Sequence, residues 1–232
     1  MDEEKANALG ISPIAKDLEL ALSVSDVDQF HKVLGDFESR GLGGIFYQYI
    51  TTDNMDSNTN IAYIGQSGLS LPDEAYYREE EFAEIRTAFV EHMTKMFTLA
   101  KVENPAAKAA AILKLETEIA SKHWDQVKDR DALLTYNKMS FAELKAASPG
   151  FDWDTWFATS KVPSKVMATV IVRQPSFFAG LGEILKNFNS EAWSAWLAWH
   201  LLSGTSSYLS SEFVNENFAF YGTKLSGTPE LK

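Results

Sequence analysis

Four histidines, His31, His92, His123 and His200, are the residues of this sequence best suited to bind a transition metal. A helix-borne hydrolytic zinc site needs two histidines four apart with a glutamate beside the first. Both imidazoles then meet one ion, and the carboxylate activates its water. None of the four has that neighbour, and Glu91-His92 carries Met96 where the second histidine belongs. Each is expected to lie on a helix surface or partly buried, and no catalytic, cofactor-binding or metal-binding residue is assigned. Asp56-x-Asn58-x-Asn60 opens like a calcium loop, but Ile61 stands where glycine is needed and Ser67 where a bidentate glutamate is needed. A polar hairpin loop is the better reading.

The carboxylate pairs Glu116/Glu118, Asp129/Asp131 and Asp152/Asp154 are two residues apart. That spacing on a helix sends side chains to different faces, so the first pair is poorly placed to share a substrate. Asp152 is placed to cap a helix through Trp153 and Trp156, and Asp129-Arg130-Asp131 reads as a solvated turn. No Gly-x-Ser-x-Gly elbow occurs, and Gly41-Leu42-Gly43-Gly44 precedes a strand instead of linking a strand to a helix, as a phosphate loop would. Trp193, Trp196 and Trp199 recur at helical spacing, which points to core before groove.

The elements that would position these residues are mostly helical. Val27, Phe30, Val33, Leu34 and Phe37 recur at three- and four-residue steps behind a capping-type start at Ser25. Phe82, Ile85, Phe89, Met93, Met96 and Phe97 repeat the stripe over 81–100; Pro105 and Pro175 open further helices, and Ser190 is expected to cap the tryptophan helix. Ile45–Ile50 and Ile61–Ile64 are aromatic and β-branched and predict two short strands joined by a polar loop. Met167–Val172 fits a third short strand or a buried helix segment. The tail after Gly222 reads as an irregular exit, as of a chain headed into another domain. The fold class is therefore mainly α, a multi-helical domain with a small two-stranded β element around residues 45–66.

A net charge of −11 argues against a nucleic-acid partner, which needs a basic face. The 232 residues contain no cysteine, which excludes disulfides, thiol nucleophiles and thiolate metal sites. Met1–Lys5 begins acidic with no apolar run behind it, and no stretch is long enough to span a bilayer. Neither a targeting nor a membrane segment is expected in this chain, which leaves localisation open between cytoplasmic and exported.

Several segments together resemble one family. Gln66-Ser67-Gly68-Leu69-Ser70-Leu71-Pro72-Asp73-Glu74-Ala75-Tyr76-Tyr77 is similar to the Gln-x-Gly-Leu-x-Leu-Pro-Asp-x-x-Tyr-Tyr signature of the neprilysin and endothelin-converting-enzyme peptidases. Locally, Gly68 permits a tight bend, Leu69 and Leu71 are expected to drop into the core, and Pro72 fixes the exit. In order along the chain, Asp2–Ile14 with its Gly10-Ile11 and Pro13-Ile14, then Glu116–Ala120, Arg130-Asp131 and Thr135–Met139, then Pro149–Trp153, then Phe218–Gly227 resemble further family segments. The resemblance covers essentially the whole chain and implies the helical, non-catalytic lobe of a two-lobed zinc metalloendopeptidase. Residues 1–212 would form the capping lobe and 213–232 a segment toward a catalytic lobe of the same polypeptide. The family's His-Glu-x-x-His, Glu-x-x-x-Asp and Asn-Ala-aromatic motifs have no counterpart here, and Asn217-Phe218-Ala219 is not the last of these. Zinc and peptide substrates are thus expected of the full-length parent, and this chain alone is expected to be inactive. Animal members rely on disulfides, so the lack of cysteine favours a bacterial origin. The alternative is a stand-alone helical peptide-binding module or a degenerate non-catalytic paralogue.

Overall fold

The computed structural model describes residues 3–230. The chain forms two compact units: Met1–Ser25, Tyr76–Leu115 and Asn189–Lys232 make one, and Asp26–Ala75 with Glu116–Phe188 make the other. No helix among the described residues is long and apolar enough to cross a membrane.

The second unit holds the sheet. Strands β1 (Phe46–Asp53), β2 (Asp56–Gln66), β3 (Asn137–Ser140) and β4 (Thr169–Val172) lie in the order β1-β2-β4-β3. The outer pairs are antiparallel, and β2 runs parallel to β4. The two-stranded expectation therefore captures half of the sheet. The Met167–Val172 segment resolves as the end of a four-residue helix, Ser164–Met167, followed by β4. The polar tract expected as a loop continues the hairpin ladder, Thr51 facing Ile61 and Thr52 facing Asn60, because main-chain pairing does not require buried side chains.

One face of the sheet enters an aromatic core. Phe46 lies 5.1–5.8 Å, centroid to centroid, from the rings of Phe151, Trp153, Trp156 and Phe178. The other face carries Ile61, Tyr63 and Ile171 with Tyr136 packed against them. The Val27–Ser39 helix packs on the Trp153–Ser160 helix. Its N-cap is Asp26, which accepts from Gln29 N at 2.8 Å, and not Ser25.

The first unit is helical, with helices Ala15–Leu22, Ala83–Leu99, Ser190–Thr205 and Ser211–Asn217 among its elements. Trp193, Trp196 and Trp199 are all fully buried, so the tryptophan stripe is core. Residues of the Ser190–Thr205 helix are buried around its circumference, as expected of an element apolar on all sides. Asn189 caps it, accepting from Ala192 N at 3.1 Å, and Ser190 is its first residue. Phe218–Leu225, expected to become irregular after Gly222, is a π-helix whose Phe220 ring stacks on His92. The wider turn of that helix sets the Phe218 ring against Gly222, where a Cβ would come within 2.5 Å of it.

Candidate functional site

The segment that leaves β2, Gln66 to Glu74, forms one wall of a pocket of about 250 Å³ within the second unit. Its local geometry follows from a few residues. Gln66 acts as a peptide-group mimic: its Nε2 donates to Trp124 O at 2.9 Å and its Oε1 accepts from Trp124 N at 2.8 Å. Its backbone N–H donates to Gln174 Oε1 at 2.9 Å. Gly68 has φ +89°, and a Cβ there would come within 2.5 Å of Ile45 Cδ1, so only glycine makes this bend. Leu71 enters the core, while Leu69, expected to do the same, stays half-buried and lines the pocket.

Glu116 anchors the bend from below. Its carboxylate is fully buried and accepts from Ser70 N at 3.0 Å and Ser70 Oγ at 2.7 Å. Glu118 is exposed, so the two glutamates point apart as their spacing requires. Truncating Glu116 removes a charged acceptor and leaves the partly buried Ser70 N–H without it. Glu116→Ala is expected to cost about 2 kcal/mol, read as a lower urea midpoint at unchanged slope, and Glu116→Gln to restore part of it.

The opposite wall carries His123, Trp124, Gln126 and Asp129. His123 Nε2 lies 3.0 Å from Ser67 O, and burial pushes its pKa down to about 4. The ring is therefore neutral at pH 7, and the carbonyl partner assigns its proton to Nε2. Asp129, expected in a solvated turn, is instead bound, accepting from Arg173 at 3.2 Å and also from Gln174 Nε2. Asp131 Oδ1 accepts from Leu133 N and Leu134 N in a local turn. Asp152 caps its helix by accepting from Thr155 N at 3.1 Å, and Asp154 pairs with Lys145.

The other histidines have separate structural partners. His31 Nε2 accepts from Asp152 N at 3.2 Å with its ring edge-on to Phe151. His92 lies 3.0 Å from Glu216 Oε1. His200 packs 4.1 Å, centroid to centroid, from the Trp196 ring. Burial lowers the pKa of both His31 and His92. No group of three metal-ligating side chains converges among the described residues. The donor set present does not fit a zinc centre.

Residue type and spacing mark neither of two further clusters as a unit. Asp53 is buried at the hairpin tip and accepts from Tyr136 Oη and Lys138 Nζ, both at 2.8 Å, and from Met55 N at 2.9 Å. The Lys138 hydrogen bond leads in holding its pKa down at about 2. Tyr136 and Lys138 are two apart, so the chain entering β3 turns both to the same face of the sheet. Glu38 Oε2 accepts from Trp156 Nε1 at 2.5 Å, and burial pushes its pKa up to about 8.

Comparison with known proteins places this architecture. The family model described as Peptidase family M13 matches residues 1–232. The chain belongs to peptidase family M13. Among family relatives, endothelin-converting enzyme 1 of Mus musculus is 27% identical over 197 residues, covering 81% of this chain and 26% of the relative. An endothelin-converting enzyme homolog of Locusta migratoria is 28% identical over 186 residues, covering 74% and 25%. The inhibitor complex of the Mycobacterium tuberculosis zinc metalloprotease Zmp1 superposes with a TM-score of 0.94 at 35% identity, covering all of this chain and 36% of that one. PepO from Lactobacillus rhamnosis shares the fold, with a TM-score of 0.80 at 20% identity. The chain thus spans about a quarter of the length of the curated relatives it matches. The family's sequence motifs here have structural roles: the β2 exit, the β3 clamp on the hairpin tip and the Pro149–Trp153 turn into a helix.

Proposed function

We propose that this chain is the part of a zinc metalloendopeptidase that shapes and encloses the peptide-binding cavity, with residues 1–212 as the helical capping lobe and 213–232 leading toward a catalytic lobe. The observation that supports this reading is the match of the whole chain to a protease family, together with a donor set that does not suit a metal. In this reading zinc is bound by other elements of the parent polypeptide, where it supplies activated water. The residues of this chain contribute rigid walls and restrict which substrates reach the site.

Metal analysis and peptide hydrolysis test it. The 232-residue chain is expected to hold no stoichiometric zinc and to leave a peptide library uncut. A polypeptide that also contains the remaining family region is expected to bind one zinc and to cleave. Hydrolysis that co-purifies with the 232-residue chain and disappears with a chelator would refute the assignment.

A further inference from the structure

His92 is enclosed in the first unit with one of its two nitrogens unanswered. It projects from the Ala83–Leu99 helix, and its side chain is 1% exposed. Nδ1 lies 3.0 Å from Glu216 Oε1 on the Ser211–Asn217 helix, which assigns the proton of the neutral ring to Nδ1. Nε2 is buried and finds no hydrogen-bond partner among the described residues. Aromatic rings fill the space around it. Phe220 stacks on the imidazole at 4.8 Å, and Tyr221 and Trp199 meet it nearly at right angles at 5.6 and 5.4 Å. Among the described residues, the charged and titratable groups that face the ring are Glu216, Tyr221 and, from its own helix, Lys95, whose Nζ lies 3.7 Å from Glu216 Oε2. The Ser190–Thr205 helix contributes the uncharged Trp199.

Phe220 and Tyr221 belong to the π-helix Phe218–Leu225, which is eight residues long. π-turns are rare and occur mostly as single-turn bulges, so a π-helix of this length depends on tertiary contacts to hold its winding. Those contacts include the His92 stack and the Phe89 ring, 5.6 Å from Phe220.

We propose that His92 is an acid-sensitive latch on this π-helix, and that protonation at Nε2 releases Phe218–Leu225 from the Ala83–Leu99 helix. A second N–H in this cage would meet rings and no acceptor, an unpaired buried donor on a charged group. Glu216 cannot answer it, being engaged at Nδ1. Release lets water reach Nε2, so the open state holds the added proton better. Burial lowers the pKa of His92 in the closed state, and Glu216 opposes that shift without reversing it. Opening therefore gains as pH falls below 6.5, by no more than about tenfold per pH unit. The latch needs only this chain. Its bearing on the parent, where residues 213–232 lead toward a catalytic lobe, rests on the function proposed above.

Hydrogen–deuterium exchange of the 232-residue chain tests it, with rates corrected for the intrinsic pH dependence of exchange. Protection of 218–225 is expected to fall at least about threefold from about pH 7 to about pH 5.5, and that of 193–202 in the same unit to fall less than half as much. His92→Phe keeps a ring in the stack and takes no proton, so its 218–225 segment is expected to show no such fall. Glu216→Gln is expected to retain the fall, since the amide oxygen still accepts from Nδ1. Equal loss in 193–202 would show opening of the whole unit. A fall kept in His92→Phe and abolished in Glu216→Gln would assign the titration to Glu216. Either result overturns the latch, as does unchanged protection of 218–225. The comparison of the two segments uses the unmodified chain and stands even if a variant misfolds.

Discussion

Replacing Gly150 with alanine is expected to destabilise the second unit far more than a surface substitution would. A Cβ at position 150 would lie 2.1 Å from Gly182 O and 2.5 Å from both Gly182 C and Cα. These are main-chain atoms, so no flexible side-chain end can swing aside. The reciprocal contact is also closed, since a Cβ on Gly182 would come within 2.9 Å of Gly150 N. Relief requires the Pro175–Lys186 helix to move away from the turn that leads into the Trp153–Ser160 helix. That movement would unpack Phe178 from Phe46 and Trp153, whose rings lie 5.8 and 5.9 Å from it. Overpacking costs about 1–3 kcal/mol where side chains can adjust, and here they cannot, so about 4 kcal/mol is expected. Chemical unfolding followed by tryptophan fluorescence would show it as a large fall in the urea midpoint. Gly150→Ala with a stability within about 0.5 kcal/mol of the parent chain, roughly the range of neutral surface substitutions, would mean that the helix is not held this close. Gly180→Ala is the control. Its Cβ would come 2.8 Å from Lys122 Cδ and Cγ and 3.0 Å from Lys122 Cβ, side-chain atoms and not main chain, so a smaller loss is expected.

The same glycine shows what a sequence can and cannot convey. Pro149-Gly150-Phe151-Asp152-Trp153 is recognisable as a segment, and the cap at Asp152 is legible because a carboxylate before an apolar helix has one common role. The closeness of Gly150 to Gly182 is not legible, since it depends on two main chains 32 positions apart. The long helices follow from their 3.6-residue periodicity and proline starts. Two caps fall one residue from the expected serine, at Asp26 and Asn189, because serine, aspartate and asparagine compete nearly equally for that position. β3 and β4 have four residues each and borrow their pairing from distant partners, so no local pattern marks Asn137–Ser140 as a strand. At the candidate pocket, the Gln66–Asp73 wall stands out as a segment with Gly68 at its bend. His123, Gln126 and Asp129 do not, because they come to it from 49 or more positions beyond Glu74. Glu38 gives no signal at all: an amphipathic helix ending in a glutamate predicts a solvated side chain, and it is Trp156 from another helix and the close approach of Gly44 that cover it.

That enclosed glutamate is expected to set the alkaline side of the stability profile. In the folded chain its pKa is raised from 4.5 to about 8 by burial, with the Trp156 hydrogen bond opposing. A carboxyl that holds its proton more tightly when folded stabilises the fold below its unfolded value. That contribution is lost as pH rises through 4.5 toward 8, at no more than about 1.4 kcal/mol per pH unit. The buried histidines act in the opposite sense. His31, His92 and His123 have folded pKa values below 6.5, His123 at about 4, so the unfolded chain binds more protons below 6.5. The stability they contribute therefore falls as pH drops from 6.5. Asp53, held at about 2 chiefly by Lys138, adds a further loss below its ordinary 3.8. The histidines oppose the glutamate between pH 4.5 and 6.5, and above their ordinary value of 6.5 the glutamate leads among these groups up to about 8. Unfolding free energy is thus expected to decline as pH rises from 6.5 to 8 and to decline as pH falls below 4.5. Glu38→Gln removes the ionisation while keeping an acceptor for Trp156, so it should match the parent chain at about pH 4 and exceed it by about 3 kcal/mol at about pH 8. Urea titrations of both chains at about pH 4, 6.5 and 8 measure the difference directly. A variant that shifts all three midpoints equally would show that the Glu38 carboxyl is ionised in the folded protein and that the alkaline decline has another source.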